Sequence, residues 1–125
     1  IISIAKKHFG EVDGKIGNSF FRSEIADHKI KEHAFGLTLK RAGDEGGKAS
    51  AVASMFKYYG TELNVKREEL LIQIGGNDAL LWVPNEENDA DVARKFCRSK
   101  GNTIEGGTSE IQLNIIAKRV LNLPS

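Results

Sequence analysis

Apolar residues recur along this chain at helical spacing, and no stretch alternates strictly between apolar and polar positions over several residues. The pattern predicts an all-α protein. Ile1, Ile2, Ile4 and Ala5, followed by Lys6, Lys7 and His8, read as the last turns of a helix. Its terminal cations complement the negative end of the helix dipole, and Gly10 is its stop. Residues 10–18, GEVDGKIGN, hold Asp13, Asn18 and three glycines, so they predict a loop closed by Asn18 as the N-cap of the next helix.

From Ser19 to Ala42 the pattern predicts a helix of about six turns. Phe21, Ile25, His28, Ala34, Leu37 and Leu39 fall on or near its apolar side, and Gly36 is tolerated there at about 1 kcal/mol relative to alanine. GDEGG at 43–47 predicts a turn. Val52, Met55, Phe56, Tyr59, Leu63, Leu70 and Ile74 then trace a second long helix, stopped by Gly75 and Gly76. Residues 77–87, with Pro84 and the short run LLWV at 80–83, predict a packed loop anchored by Trp82. Asn88 or Asp89 is placed to cap a shorter helix carrying Val92, Ala93, Phe96 and Cys97 and ended by Gly101.

The last segment, IEGGTSEIQLNIIAKRVLNLP at 104–124, runs from a glycine pair into a helix bearing Ile111, Ile115, Ile116 and Val120. Thr108 and Ser109 are both good N-cap types, and Ser109 with Gln112 fits a capping box. Helix capping alone accounts for those two. Paired glycines permit positive φ or the close approach of a ligand, and a helix start offers amide donors to an anionic or polar group. Both readings stay open on the sequence pattern.

Composition narrows the field. At 125 residues the chain fits one domain, spanning 1–125. Eighteen Lys and Arg against seventeen Asp and Glu leave a net charge of +1, too little to attract nucleic acid. No run approaches the roughly 18 apolar residues of a membrane span. The lone Cys97 cannot form an internal disulfide and is expected as a buried, inert thiol. His8, His28 and His33 show no metal-like pairing, and KREE at 66–69 reads as a solvated face with local ion pairs. An opening Ile1 inside an apolar pattern already under way reads as a piece of something longer.

GGTSEIQ at 106–112 and NIIAKR at 114–119 resemble the terminal signature of the acyl-CoA dehydrogenases. Upstream, SFFRSEIADHKIKEHAFGLTLKRA resembles that family's second bundle helix, and ASMFKYYGTELNVKREELLIQIGG its third. RKFCRSKGNTIEGGTSE resembles the short helix and hairpin leading to the active-site loop. The resemblance implies an up-and-down helical bundle, the family's C-terminal domain lacking most of its first helix. In the family that domain packs on an N-terminal helical domain and a middle β domain, with FAD held partly across a subunit interface.

The implied chemistry is α,β-dehydrogenation of an acyl-CoA thioester, with electrons passed on to an electron-transferring flavoprotein and a homo- or hetero-oligomer as the working state. In many members the base is a glutamate at the position of Gly106, which has no side chain; Glu105, one residue earlier, is a weak substitute. Other members carry the base on the first bundle helix, so it is expected upstream of Ile1. Gly107, Thr108 and Glu110 match positions that touch FAD. Gln73, Gly75 and Gly76 match the end of the third helix, which touches the partner subunit's FAD, with spacing one residue short. Leu113 replaces the family's usual basic or polar residue. No metal is implied. The bare chain is expected to be inactive, and a non-catalytic subunit of a mixed complex or a flavin oxidase or monooxygenase of the same fold are the alternatives. Localisation follows as bacterial cytoplasm or mitochondrial matrix.

Overall fold

The computed structural model describes residues 1–44, 50–82 and 91–124. Helix α1 (Ile2–Phe9) leads through a small hairpin, β1 (Glu11–Val12) and β2 (Lys15–Ile16), into the long helices α2 (Ser19–Asp44) and α3 (Ser50–Gly75). A 3-10 turn (Asp78–Leu80), α4 (Asp91–Asn102) and α5 (Ser109–Ile115) follow, and α5 widens into a π turn at Ile116–Val120. The helices form an up-and-down bundle. Antiparallel packing of α2 on α3 shows in Lys66 donating to Glu24 at 3.0 Å and Phe35 meeting Phe56 edge-on at 5.8 Å. Lys100 to Glu69 and Lys57 to the Thr103 carbonyl likewise set α4 antiparallel to α3.

Local chemistry explains the elements near the N-terminus. Asn18 caps α2 as the pattern predicts, its Oδ1 accepting the Phe21 amide at 3.1 Å. The predicted loop at 10–18 contains a two-residue hairpin turn, with Asp13 at φ 50° and Gly14 at φ 75° and Glu11 paired with Ile16. That hairpin delivers Ile16 into a core with Ala5, Ile25 and Ile74, flanked by Ile1, Phe9 and Phe21. The rings of Phe9 and Phe21 stack there at 4.8 Å.

Helix α3 is the axis on which α1, α2, α4 and α5 all pack. A helix with neighbours on several sides needs apolar residues around more of its surface than one stripe provides. Leu70, Leu71 and Ile74 are buried on it, whereas the predicted face members Met55 and Tyr59 are exposed. The predicted face of α2 shifts too: Ile25 and His28 are buried and Phe35 turns to α3, but Ala34, Leu37 and Leu39 are exposed.

Four further expectations are corrected. Cys97 is exposed, because α4 turns Ala93 and Ser99 inward. The same helix runs through Gly101 to Asn102, since the amides of Ile104 and Glu105 both fold back onto the Gly101 carbonyl. Trp82 is 56% exposed and anchors no core; the Arg94 guanidinium lies 5.9 Å above its ring and donates to its carbonyl at 3.4 Å. On α5 the predicted apolar stripe is uncovered at Ile111 and Val120, and the buried residue is Gln112. The caps proposed at Asn88 or Asp89, the loop from 83 to 87 and the turn residues 45–47 lie outside the described residues. Among the described residues no helix is long and apolar enough to cross a membrane.

Candidate functional site: the double-glycine loop

Side chains from three helices hold the loop between α4 and α5. Lys57 of α3 donates to the Thr103 carbonyl at 3.0 Å, and Ser109 donates to Glu62 of α3 at 3.3 Å. Arg98 of α4 grips the exposed Glu105 carboxylate at 2.8 and 3.0 Å, with Asn102 at 3.5 Å. Between these anchors the chain turns through two successive left-handed residues, Gly106 at φ 68° and Gly107 at φ 101°. A Cβ on Gly106 would meet nothing within 4 Å, so its backbone lies open on one side. A Cβ on Gly107 would stand 2.8 Å from the Gln112 side-chain nitrogen.

Thr108 is the N-cap of α5, its Oγ1 accepting the Ile111 amide at 3.3 Å while its carbonyl accepts the Gln112 amide at 3.0 Å. The predicted box of Ser109 with Gln112 does not form. With the cap one residue earlier, the position that closes a box falls on Ile111, which has no polar side chain. Gln112 instead reaches back and donates to the Gly106 carbonyl at 2.9 Å. Glu110 accepts from its own backbone amide and from Thr108, which with the charge of Lys57 holds its carboxyl below the ordinary value of 4.5. Thus the amides of Glu110, Ile111 and Gln112 are engaged and a carboxylate already sits among them. A ligand here would meet acceptors and open glycine backbone, which suits hydroxyl and amine donors better than a phosphate.

At the far end of α3, Gly75 is a packing residue, since a Cβ there would lie 2.5 Å from the Ala79 methyl. Gly76 ends the helix at φ 56° with its amide bonded to the Ile72 carbonyl, and Gln73 is exposed. Gly75 lies thirteen residues beyond Glu62, about 20 Å along the helix axis. The fold does not bring this group to the double-glycine loop. A separate groove of about 350 Å³ between α2 and α3 is lined by Asp27, His28, Lys31, Tyr59 and Lys66 among others. His28 is buried there with Nδ1 unpartnered. Burial holds its pKa below the ordinary 6.5; Glu32 opposes that, Lys29 and Arg67 reinforce it, and Asp27 opposes it. No three His, Cys, Asp or Glu side chains gather as a metal site among the described residues.

Residues 14–121 match the family described as acyl-CoA dehydrogenase, C-terminal domain. The chain belongs to this family. A solved relative of this acyl-CoA dehydrogenase domain is a chain of the ChsE4-ChsE5 complex from Mycobacterium tuberculosis, 25% identical with a TM-score of 0.80. The match covers 98% of the dehydrogenase domain described here and 33% of that chain. A search of curated proteins found no match.

In the dehydrogenase domain, the family resemblance pointed to Gly107, Thr108 and Glu110 on this loop but not to Gln112 as a structural partner of the glycines. Its signal was present all the same: a carboxamide on the inward face of a helix that follows a glycine pair must find a bond inside the protein.

Proposed function

We propose that this domain contributes part of an FAD site and of an oligomer contact to an enzyme that α,β-dehydrogenates an acyl-CoA thioester. The observation that carries the reading is the double-glycine loop, a left-handed backbone held by Lys57, Glu62, Arg98, Asn102 and Gln112 yet open at Gly106. Gly107, Thr108 and Glu110 would hold the cofactor through its hydroxyl and amine donors. Gln73, Gly75 and Gly76, distant along α3, would face the cofactor of a neighbouring subunit. FAD, when bound, supplies the hydride acceptor for the β carbon of the thioester. Around it, this chain's residues orient the cofactor and wall it from water.

A base must also take the α proton. Glu105 is a poor fit, because an ion pair and a hydrogen bond from Arg98 engage its carboxylate at the surface. With glycine at the usual base position, this reading assigns the base to the first bundle helix, upstream of Ile1, and completion of the site to further domains, whether on this polypeptide or on a companion. Electron-transferring flavoprotein is the expected electron acceptor.

A second reading, a non-catalytic subunit of a mixed dehydrogenase, is favoured by Gly106 at the usual base position and by the two-component complex of the relative. Purification of the assembled protein tests both. Bound yellow flavin that acyl-CoA thioesters bleach under anaerobic conditions supports the first reading. Flavin or thioester binding that appears only with a companion chain supports the second, and a colourless, folded assembly overturns the flavin site.

A further inference from the structure

Gln112 is the buried residue of α5, while its apolar neighbours Ile111 and Leu113 are exposed. Burying a carboxamide is unfavourable unless its polar atoms are bonded, so the bond must offset the burial. Here Nε2 donates to the Gly106 carbonyl at 2.9 Å, closing a ring back over the glycine pair. The same nitrogen occupies the place that a Cβ on Gly107 would enter. One side chain thus pins the carbonyl of the first glycine, and a Cβ at the second would have to push its nitrogen off that bond. The other anchors of the loop, Lys57 at Thr103, Arg98 at Glu105 and Glu62 at Ser109, act on either side of the pair and none touches it.

We propose that Gln112 is the positioning residue of the loop: its carboxamide sets the backbone of residues 106–108 and so the place where Thr108 and Glu110 meet a cofactor. This rests on the flavin reading above for its functional consequence, and on the hydrogen bond alone for its structural one. What the loop requires is a donor at this point. Gln112→Glu keeps the shape and removes the donor when ionised, but restores it when protonated. Gln112→Met keeps the length and has no donor at any pH.

The test uses the assembled protein and two readouts. Flavin affinity of Gln112→Met should fall about three- to tenfold at every pH, the range of one net hydrogen bond. Gln112→Glu should fall to or below Met at high pH, where a carboxylate would face the Gly106 carbonyl, and climb back toward the parent as pH falls toward the carboxyl range, which begins at about 4.3 in water and is raised by burial. Hydrogen exchange at the amides of 107–109, corrected for intrinsic rates and measured without flavin, should show the same order and the same reversal. A single Gln112→Glu preparation that switches with pH separates donor loss from misfolding. Exchange that is the same in all three proteins, or that does not change with pH in Gln112→Glu relative to Met, overturns the proposal. If exchange behaves as expected and the parent protein binds no flavin, Gln112 still sets the loop and the flavin reading falls.

Discussion

Replacing Gly107 by alanine should be far more damaging than the same change at Gly106. Both residues have positive φ, 101° and 68°. At Gly106 the new methyl meets nothing within 4 Å, so the cost is that of a left-handed L-residue, about 1–2 kcal/mol. At Gly107 the backbone lies further from the left-handed well, which costs about 1–3 kcal/mol. In addition, the methyl would stand 2.8 Å from the Gln112 nitrogen and 3.7 Å from the Ile111 Cγ2. The nitrogen must move, and its 2.9 Å bond to the Gly106 carbonyl goes with it, adding about 1 kcal/mol. The two substitutions should therefore differ by about 1–2 kcal/mol. Urea unfolding of the two variants in parallel measures the difference directly. Equal midpoints, or a larger loss at Gly106, would refute the role assigned to Gln112 in shaping the pair.

Three other outcomes follow from the packing and charge. Leu70→Ala, at a side chain with no exposure, should cost about 2–5 kcal/mol in chemical denaturation, while Leu37→Ala on the open side of α2 should change stability by less than about 0.5 kcal/mol. Gly75→Ala should destabilise despite alanine's better helix propensity, because of the Ala79 methyl 2.5 Å away, and Ala79→Gly should rescue it; a raised melting temperature for Gly75→Ala alone would contradict this. His28 has a folded-state pKa below 6.5, so as pH falls through 6.5 the unfolded chain takes up the proton first. Its contribution is complete above that pH and is lost below it. His28→Leu should flatten that part of the stability curve, and an unchanged pH slope in urea titrations would count against the burial of this imidazole.

Much of this protein was legible in its sequence because the deciding interactions are local. Helical spacing set α2 and α3, Asn18 capped the residue three positions on, and Gly75 and Gly76 stopped a helix, all through contacts within a turn of the chain. The signature around the glycine pair carried the family, which the match over residues 14–121 bears out. Which side of each helix is buried was a different matter, since it depends on neighbours that spacing does not name. Phe35 rather than Leu37 faces α3, and Cys97 stays in solvent although it follows Phe96 where an apolar face was expected. Trp82 holds Arg94 at the surface, and Val120 stays exposed. Gln112 shows the division most clearly. Its sequence position suggested a cap, but once Thr108 took the cap, the turn at Gly106 brought a carbonyl to its carboxamide.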